Sequence, residues 1–146
     1  MTWSEARGRQ VVYERSQGRC ELCGRERGTN VHHRQPRSAG GTWHPANLLH
    51  LCGQGNATGC HGLVEAHRDP FTGQPCDTYA AGWHVHRGDL PASVAVRLAH
   101  PVYGPGWYDL AAGDDHASLR LVLPWTPPRA GEQMPTRKHA RVVRSA

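Results

Sequence analysis

The chain has 146 residues and a mass of 16.1 kDa, room for one ordinary domain and a small appendage. Hydrophobic residues are 38%, mean hydropathy is -0.64, and there are 17 glycines and 11 prolines, so the core is small, turns are frequent, and a further source of stability is needed. The formal charge is +5; no run approaches the roughly 20 apolar residues of a membrane span, and neither a collagen period nor a coiled-coil heptad is present.

The opening stretch MTWSEARGRQ carries charges where a signal peptide needs an apolar run, which sets the expectation of a soluble, cytoplasmic protein with no membrane partner. Residues 4–17 read as a polar helix, with Ser4 as N-cap and Gly18 as its stop. Thr29 to His33 reads as a short strand, residues 34–46 as a loop turning at Gly40-Gly41, and Asn47 to Leu51 as a second short extended or turn segment. Gly59 to His67 suits a helix with Leu63 and Val64 on its apolar side. Residues 68–82 form a connector rich in turn residues. Trp83 to Arg87 and Val94 to Leu98 are predicted strands, and Trp107 to Leu110 with Ser118 to Leu123 a hairpin around Gly113-Asp114-Asp115. From Pro124 onward the chain lacks a period and is expected to be disordered alone.

Charge is unevenly spread. Residues 1–68 hold nine arginines and five glutamates, residues 69–123 three arginines and six aspartates, and residues 124–146 five basic residues and one glutamate. A basic first half, an acidic middle and a basic end suggest two surfaces attracted to polyanions, with ordinary solubility charge as the bland reading. Arginine dominates the basic residues, Lys138 being the single lysine; a GC-rich coding bias gives the same skew.

Five cysteines, an odd number, argue against a disulfide framework. Cys20 and Cys23 form a C-x2-C knuckle, and Cys52 and Cys60 a second pair separated by the glycine-rich GQGNATG. Two such pairs can converge on one tetrahedral structural Zn2+, which would supply the stability a small core lacks. The competing readings are a redox-active pair, for which no strand–helix–strand unit is visible, and free buried thiols. Cys76 has no partner by spacing.

The ordered series Cys20-x2-Cys23, His32-His33-Arg34, Gly40-Gly41, Asn47-Leu48, Leu51-Cys52 and Cys60-His61 resembles the HNH endonuclease family, over roughly residues 18–68. The stretches GCHGLV and GWHVHRG also resemble HNH proteins of actinobacterial phages. The resemblance implies an α+β fold: a zinc-stabilised ββα-metal core with an N-terminal helix, together over residues 1–68. A connector and small β appendage would fill residues 69–123, ahead of a Pro/Arg-rich tail at 124–146.

What the resemblance implies chemically is hydrolysis of DNA phosphodiester bonds to 5′-phosphate and 3′-hydroxyl ends. A neutral imidazole can accept a proton from water near pH 7, and a divalent ion can hold the phosphate and the departing oxygen. His33 matches the family's general base and Asn47 the residue that orients the base or its loop. His32 and His61 match the two ligands of the catalytic ion. His32 departs from the usual aspartate, so Mn2+, Ni2+, Co2+ or Zn2+ should serve comparatively well beside Mg2+. Glu65, at i+4 from His61, is a further candidate ligand or else a solvated helix residue, whereas His67 at i+6 falls on another face.

Arg34 and Arg37, beside the base, are candidate phosphate contacts, as are Arg137, Lys138, Arg141 and Arg144 in the tail. His44, His50, His84, His86, His100, His116 and His139 receive no role. Trp83, Trp107, Tyr103 and Tyr108 are read as core in preference to base-stacking residues. The expected partner is DNA, with a homodimer suited to cutting both strands. The alternatives are a zinc-stabilised DNA-binding module without strong nuclease activity, and a phage packaging accessory that docks through the acidic middle; a phage-encoded chain would work in the host cytoplasm.

Overall fold

A computed structural model describes residues 2–111 and 116–128. The first helix, α1 (Glu5–Ser16), starts where the Ser4 hydroxyl accepts the Arg7 N–H at 3.2 Å and ends at a left-handed Gln17, one residue before the predicted stop. It is short of apolar residues and docks through Val12, Gly8 and the buried Arg15 and Ser16. Gly8 is needed for that docking, because a Cβ there would lie 2.5 Å from the Trp43 carbonyl.

A compact turn follows, in which the Cys20 N–H donates to Glu26 O at 2.8 Å. Strands β1 (Asn30–His33) and β2 (Leu48–Leu51) pair antiparallel, with Asn30 opposite Leu51 and His33 opposite Leu48. Helix α2 (Gly59–Glu65) is two residues shorter than predicted, because His67 adopts a left-handed conformation and the chain turns away. A second, three-stranded antiparallel sheet runs β3 (Val96–His100), β4 (Gly104–Leu110), β5 (Leu119–Pro124). The predicted hairpin is present, with Leu110 opposite Leu119 and Trp107 opposite Leu123. Its Gly113–Asp115 turn and the tail from 129 lie outside the described residues.

Trp83 to Arg87 is not a strand. The Trp83 and His84 N–H groups both donate to Thr78 O, at 3.0 and 3.2 Å, curling the segment into turns. The alternation of apolar and polar residues there comes from a turn anchored by a buried Trp83, whose indole donates to Arg97 O at 2.7 Å.

One buried cluster joins Cys20, Leu22, Leu49, Leu51 and Val64 to Ala81, Trp83, Val96, Leu98, Tyr108 and Leu110. The core therefore runs straight across residue 68, with no seam between the first half and the β segment. Trp83, Trp107 and Tyr108 are buried, and Tyr103 is exposed. Two buried arginines are paired with buried carboxylates. Arg15 grips Glu21 through two bonds of 2.7 and 2.8 Å and donates to the carbonyls of Pro45 and Leu48. His100 lies 3.0 Å from the same carboxylate. Burial would raise the Glu21 carboxyl, but Arg15 and His100 overcome it and hold it at about 2. Asp69 pairs with Arg97 at 2.7 Å in the same way.

Candidate metal centres

The knuckle before β1 carries Cys20 and Cys23, the end of β2 leads into Cys52, and the first turn of α2 carries Cys60. Their four sulfurs lie within 4.8 Å of one another, with Cys23 and Cys52 4.0 Å apart. A tetrahedral zinc with bonds of about 2.3 Å separates its sulfurs by about 3.8 Å, so the four cysteines fit a zinc ion. Backbone N–H groups of Cys23 and Cys60 point at the sulfurs of Cys20 and Cys52, at 3.5 and 3.4 Å, and help carry thiolate charge. Cys76 stands apart from the four, half-buried.

A second group forms where β1 faces α2. His32 Nδ1 lies 3.2 Å from Glu65 Oε1, and His61 Nε2 3.7 Å from the same oxygen. The donor atoms of His32, His61 and Glu65 all fall within 4.8 Å of one another, at a mouth where Glu65 reaches solvent. The i,i+4 spacing on α2 places His61 and Glu65 side by side, as expected, and strand pairing carries His32 to them.

The far nitrogens decide what this group can do. His32 Nε2 lies 2.8 Å from Trp83 O, and His61 Nδ1 2.7 Å from Gly55 O. A carbonyl only accepts, so each of those nitrogens carries the proton. A neutral ring then turns its lone pair toward Glu65. Burial lowers the His61 pKa from its ordinary value, and contact with the His32 ring, against the effect of burial, draws the Glu65 carboxyl down to about 2. An imidazolium–carboxylate pair can satisfy one of these rings. A second lone pair aimed at the same carboxylate is satisfied by a cation, and rings whose outer N–H is tied to a carbonyl are the usual arrangement of histidine ligands.

Sequence reasoning gave His84 no role, yet its Nε2 also lies 3.7 Å from Glu65 Oε1. The ring is buried, with its Nδ1 2.7 Å from Thr78 Oγ1. Burial, followed by the neighbouring His32, lowers its pKa to about 4. The sequence carried one signal: His84 lies in the GWHVHRG stretch that resembles HNH proteins, though no role was read for it.

His33 lies outside the His32–His61–Glu65 group. Alternation along β1 gives adjacent residues opposite faces. The His33 ring packs edge-on against Trp43 with centroids 4.4 Å apart, and its Nε2 is buried without a hydrogen-bond partner among the described residues. Burial lowers its pKa, helped by His32, Arg37 and Arg9. Arg9 and Arg37 both stand over the Trp43 ring, at 5.0 and 5.9 Å, and are exposed.

Asn47 is buried and pins the loop after β1. Its Oδ1 accepts the Gln35 N–H at 2.7 Å, and its Nδ2 donates to the carbonyls of Gln35 and Thr42, both at 3.0 Å. Gly41 fits there only without a side chain, since a Cβ would fall 1.7 Å from Gln35 O. Asn47 thus shapes the loop after β1.

Arg34 is a correction. It is fully buried, and its guanidinium donates to the carbonyls of Gly82, Ala46, Pro91 and Val94 at 2.5–3.1 Å. A side chain enclosed this way welds the loop to the later segment and cannot reach a phosphate. Arg37 remains exposed beside His33; Arg137, Lys138, Arg141 and Arg144 lie outside the described residues. Among those residues no helix is long and apolar enough to cross a membrane.

No protein-family model, curated protein or solved structure matches the chain. The class that the fold and its sites define is a small mixed helix and sheet protein, with two α-helices, two sheets and a four-cysteine cluster able to hold zinc among the described residues.

Proposed function

We propose that this protein is a metal-dependent DNA endonuclease of the HNH type, with β1, β2 and α2 as its ββα-metal core. The observation that carries the reading is the convergence of His32, His61 and Glu65 as a donor set separate from the four sulfurs. It is supported by the order of Cys, His and Asn residues along residues 18–68.

A bound divalent ion would supply charge neutralisation on the phosphate and on the departing 3′ oxygen. His32, His61 and Glu65 would hold it, while the sulfur site fixes the start of α2: the His61 N–H donates to Cys52 O at 3.1 Å. His33 is the proton acceptor in this reading. It is kept neutral at pH 7 by burial, and its Nε2 has no partner among the described residues to compete for it. Beside it, Arg9 and Arg37 over the Trp43 ring offer positive charge to the DNA backbone that flanks the attacked phosphate.

A second reading, a zinc-stabilised DNA-binding or packaging accessory module without cleavage, is favoured by one observation. His33 faces Trp43, while the donor set gathers His32 with α2. Cleavage of supercoiled plasmid with Mn2+, Ni2+ and Mg2+ in parallel separates the two. The nuclease reading expects nicking that His33→Ala abolishes with metal content and folding unchanged. Salt-dependent binding without nicking in any metal leaves the second reading standing.

A further inference from the structure

A fourth histidine, His84 of the GWHVHRG stretch, stands against this group. We propose that His84 binds the same ion as His32, His61 and Glu65, making a centre of three imidazoles and one carboxylate. This rests on the reading of those three residues as a metal site.

Position comes first. His84 Nε2 stands as far from Glu65 Oε1 as His61 Nε2 does, 3.7 Å, and its ring centroid is 5.3 Å from that of His32, as is that of His61. His84 is delivered by the backbone: Trp83 O takes the His32 N–H at 2.8 Å, and the next residue is His84. The same bond that orients His32 therefore sets His84 beside it.

The far side of the ring supplies the second argument. Thr78 Oγ1 lies 2.7 Å from His84 Nδ1 and 2.9 Å from His67 Nδ1. A hydroxyl has one proton, so it donates to at most one of the two rings and accepts from a ring nitrogen that carries hydrogen. In one arrangement His84 Nδ1–H donates to Thr78, and Thr78 donates to His67. This turns the His84 Nε2 lone pair toward Glu65. The reverse arrangement puts an Nε2–H there, but 3.7 Å is too long for a hydrogen bond. The first arrangement leaves the Nε2 lone pair facing Glu65, the orientation that binding a shared cation needs. His84 is not among the three donors that lie within 4.8 Å of one another, so binding draws its ring inward.

Four protein donors also affect metal choice. They fill a four-coordinate zinc completely and leave two open places on six-coordinate manganese, cobalt or nickel.

The test uses the full chain with zinc at the sulfur site and nickel added. Nickel-edge X-ray absorption counts imidazoles directly, and competition titration gives affinity. Wild type should show three imidazoles and no sulfur shell. His84→Ala should show two and bind nickel about 10- to 100-fold more weakly. Thr78→Val should keep three imidazoles with an intermediate loss. Two imidazoles in wild type, or a His84→Ala protein with unchanged count and affinity, overturns the assignment of His84 alone. A wild-type chain that takes up no nickel overturns the underlying metal site together with it. The wild-type spectrum settles the imidazole count even if a variant fails to fold.

Discussion

His32 donates through Nε2 to the carbonyl of Trp83 at 2.8 Å, a bond that spans 51 residues. It ties the strand that carries the candidate site to the acidic middle of the chain, which charge alone would place away from nucleic acid. Trp83 is itself held by its indole bond to Arg97 O. The middle segment is thus the floor of the site, and its charge is partly neutralised internally, in Asp69–Arg97 and Asp109–Arg120 pairs.

Metal removal should unfold the chain. Cys20, Cys23, Cys52 and Cys60 all lie within the main buried cluster, so the core packs around the sulfur site, and structural zinc in small domains is inseparable from folding. One tightly held zinc per chain is expected, and its extraction by a strong chelator should abolish the cooperative thermal transition. In the loaded protein a thiol reagent should find only Cys76, and slowly at pH 8, because burial and then Asp69 push that thiol up to about 11. Denaturation with chelator should release all five thiols. Rapid labelling of four or five thiols in the native protein would rule out the sulfur site.

Arg15→Met should destabilise the protein by about 3–5 kcal/mol, since it strands the buried Glu21 carboxylate and frees the Pro45 and Leu48 carbonyls. Urea unfolding at pH 7 measures this. Loss of under about 1 kcal/mol would mean that Glu21 is satisfied by His100 and the His50 N–H alone.

Arg34→Ala and Arg37→Ala should differ in kind. The first removes the donor for four buried carbonyls and should cost at least about 3 kcal/mol of stability. The second should leave stability within about 0.5 kcal/mol while weakening DNA binding and reducing the salt slope by about 1. Parallel unfolding and DNA titrations at several salt concentrations read both effects.

Stability should fall as pH drops below about 6.5, in part through His44. Its Nδ1 accepts the Ala46 N–H at 3.0 Å, capping the turn Pro45–Asn47 that seats Asn47. Burial, then the facing His116, lowers the His44 pKa; Trp3 packs edge-on against the same ring. The unfolded chain therefore binds this proton at a higher pH than the folded one, and folding loses free energy as pH falls through that window. His44→Asn keeps a capping acceptor without a titrating ring. The difference in urea midpoint between pH 7.5 and 5.5 should be smaller in that variant than in wild type, and an equal difference would show that His44 contributes nothing to it.

Much of both candidate metal sites is written in short-range spacing. The Cys20-x2-Cys23 knuckle, the i,i+4 pair His61 and Glu65, and the Ser4 cap each depend on residues within one turn of backbone, whose geometry is nearly fixed. The sequence by itself also determined the hairpin of β4 and β5, where alternation and turn residues agree. Tertiary structure alone decided that Arg34 is a buried brace, that Trp83–Arg87 curls into turns, and that His84 stands against Glu65. The Arg34 brace rests on partners 12 to 60 residues away, from Ala46 O to Val94 O. An arginine with four distant carbonyl acceptors and an arginine on a phosphate look identical along the chain. Burial separates them, and burial is a property of the packed whole.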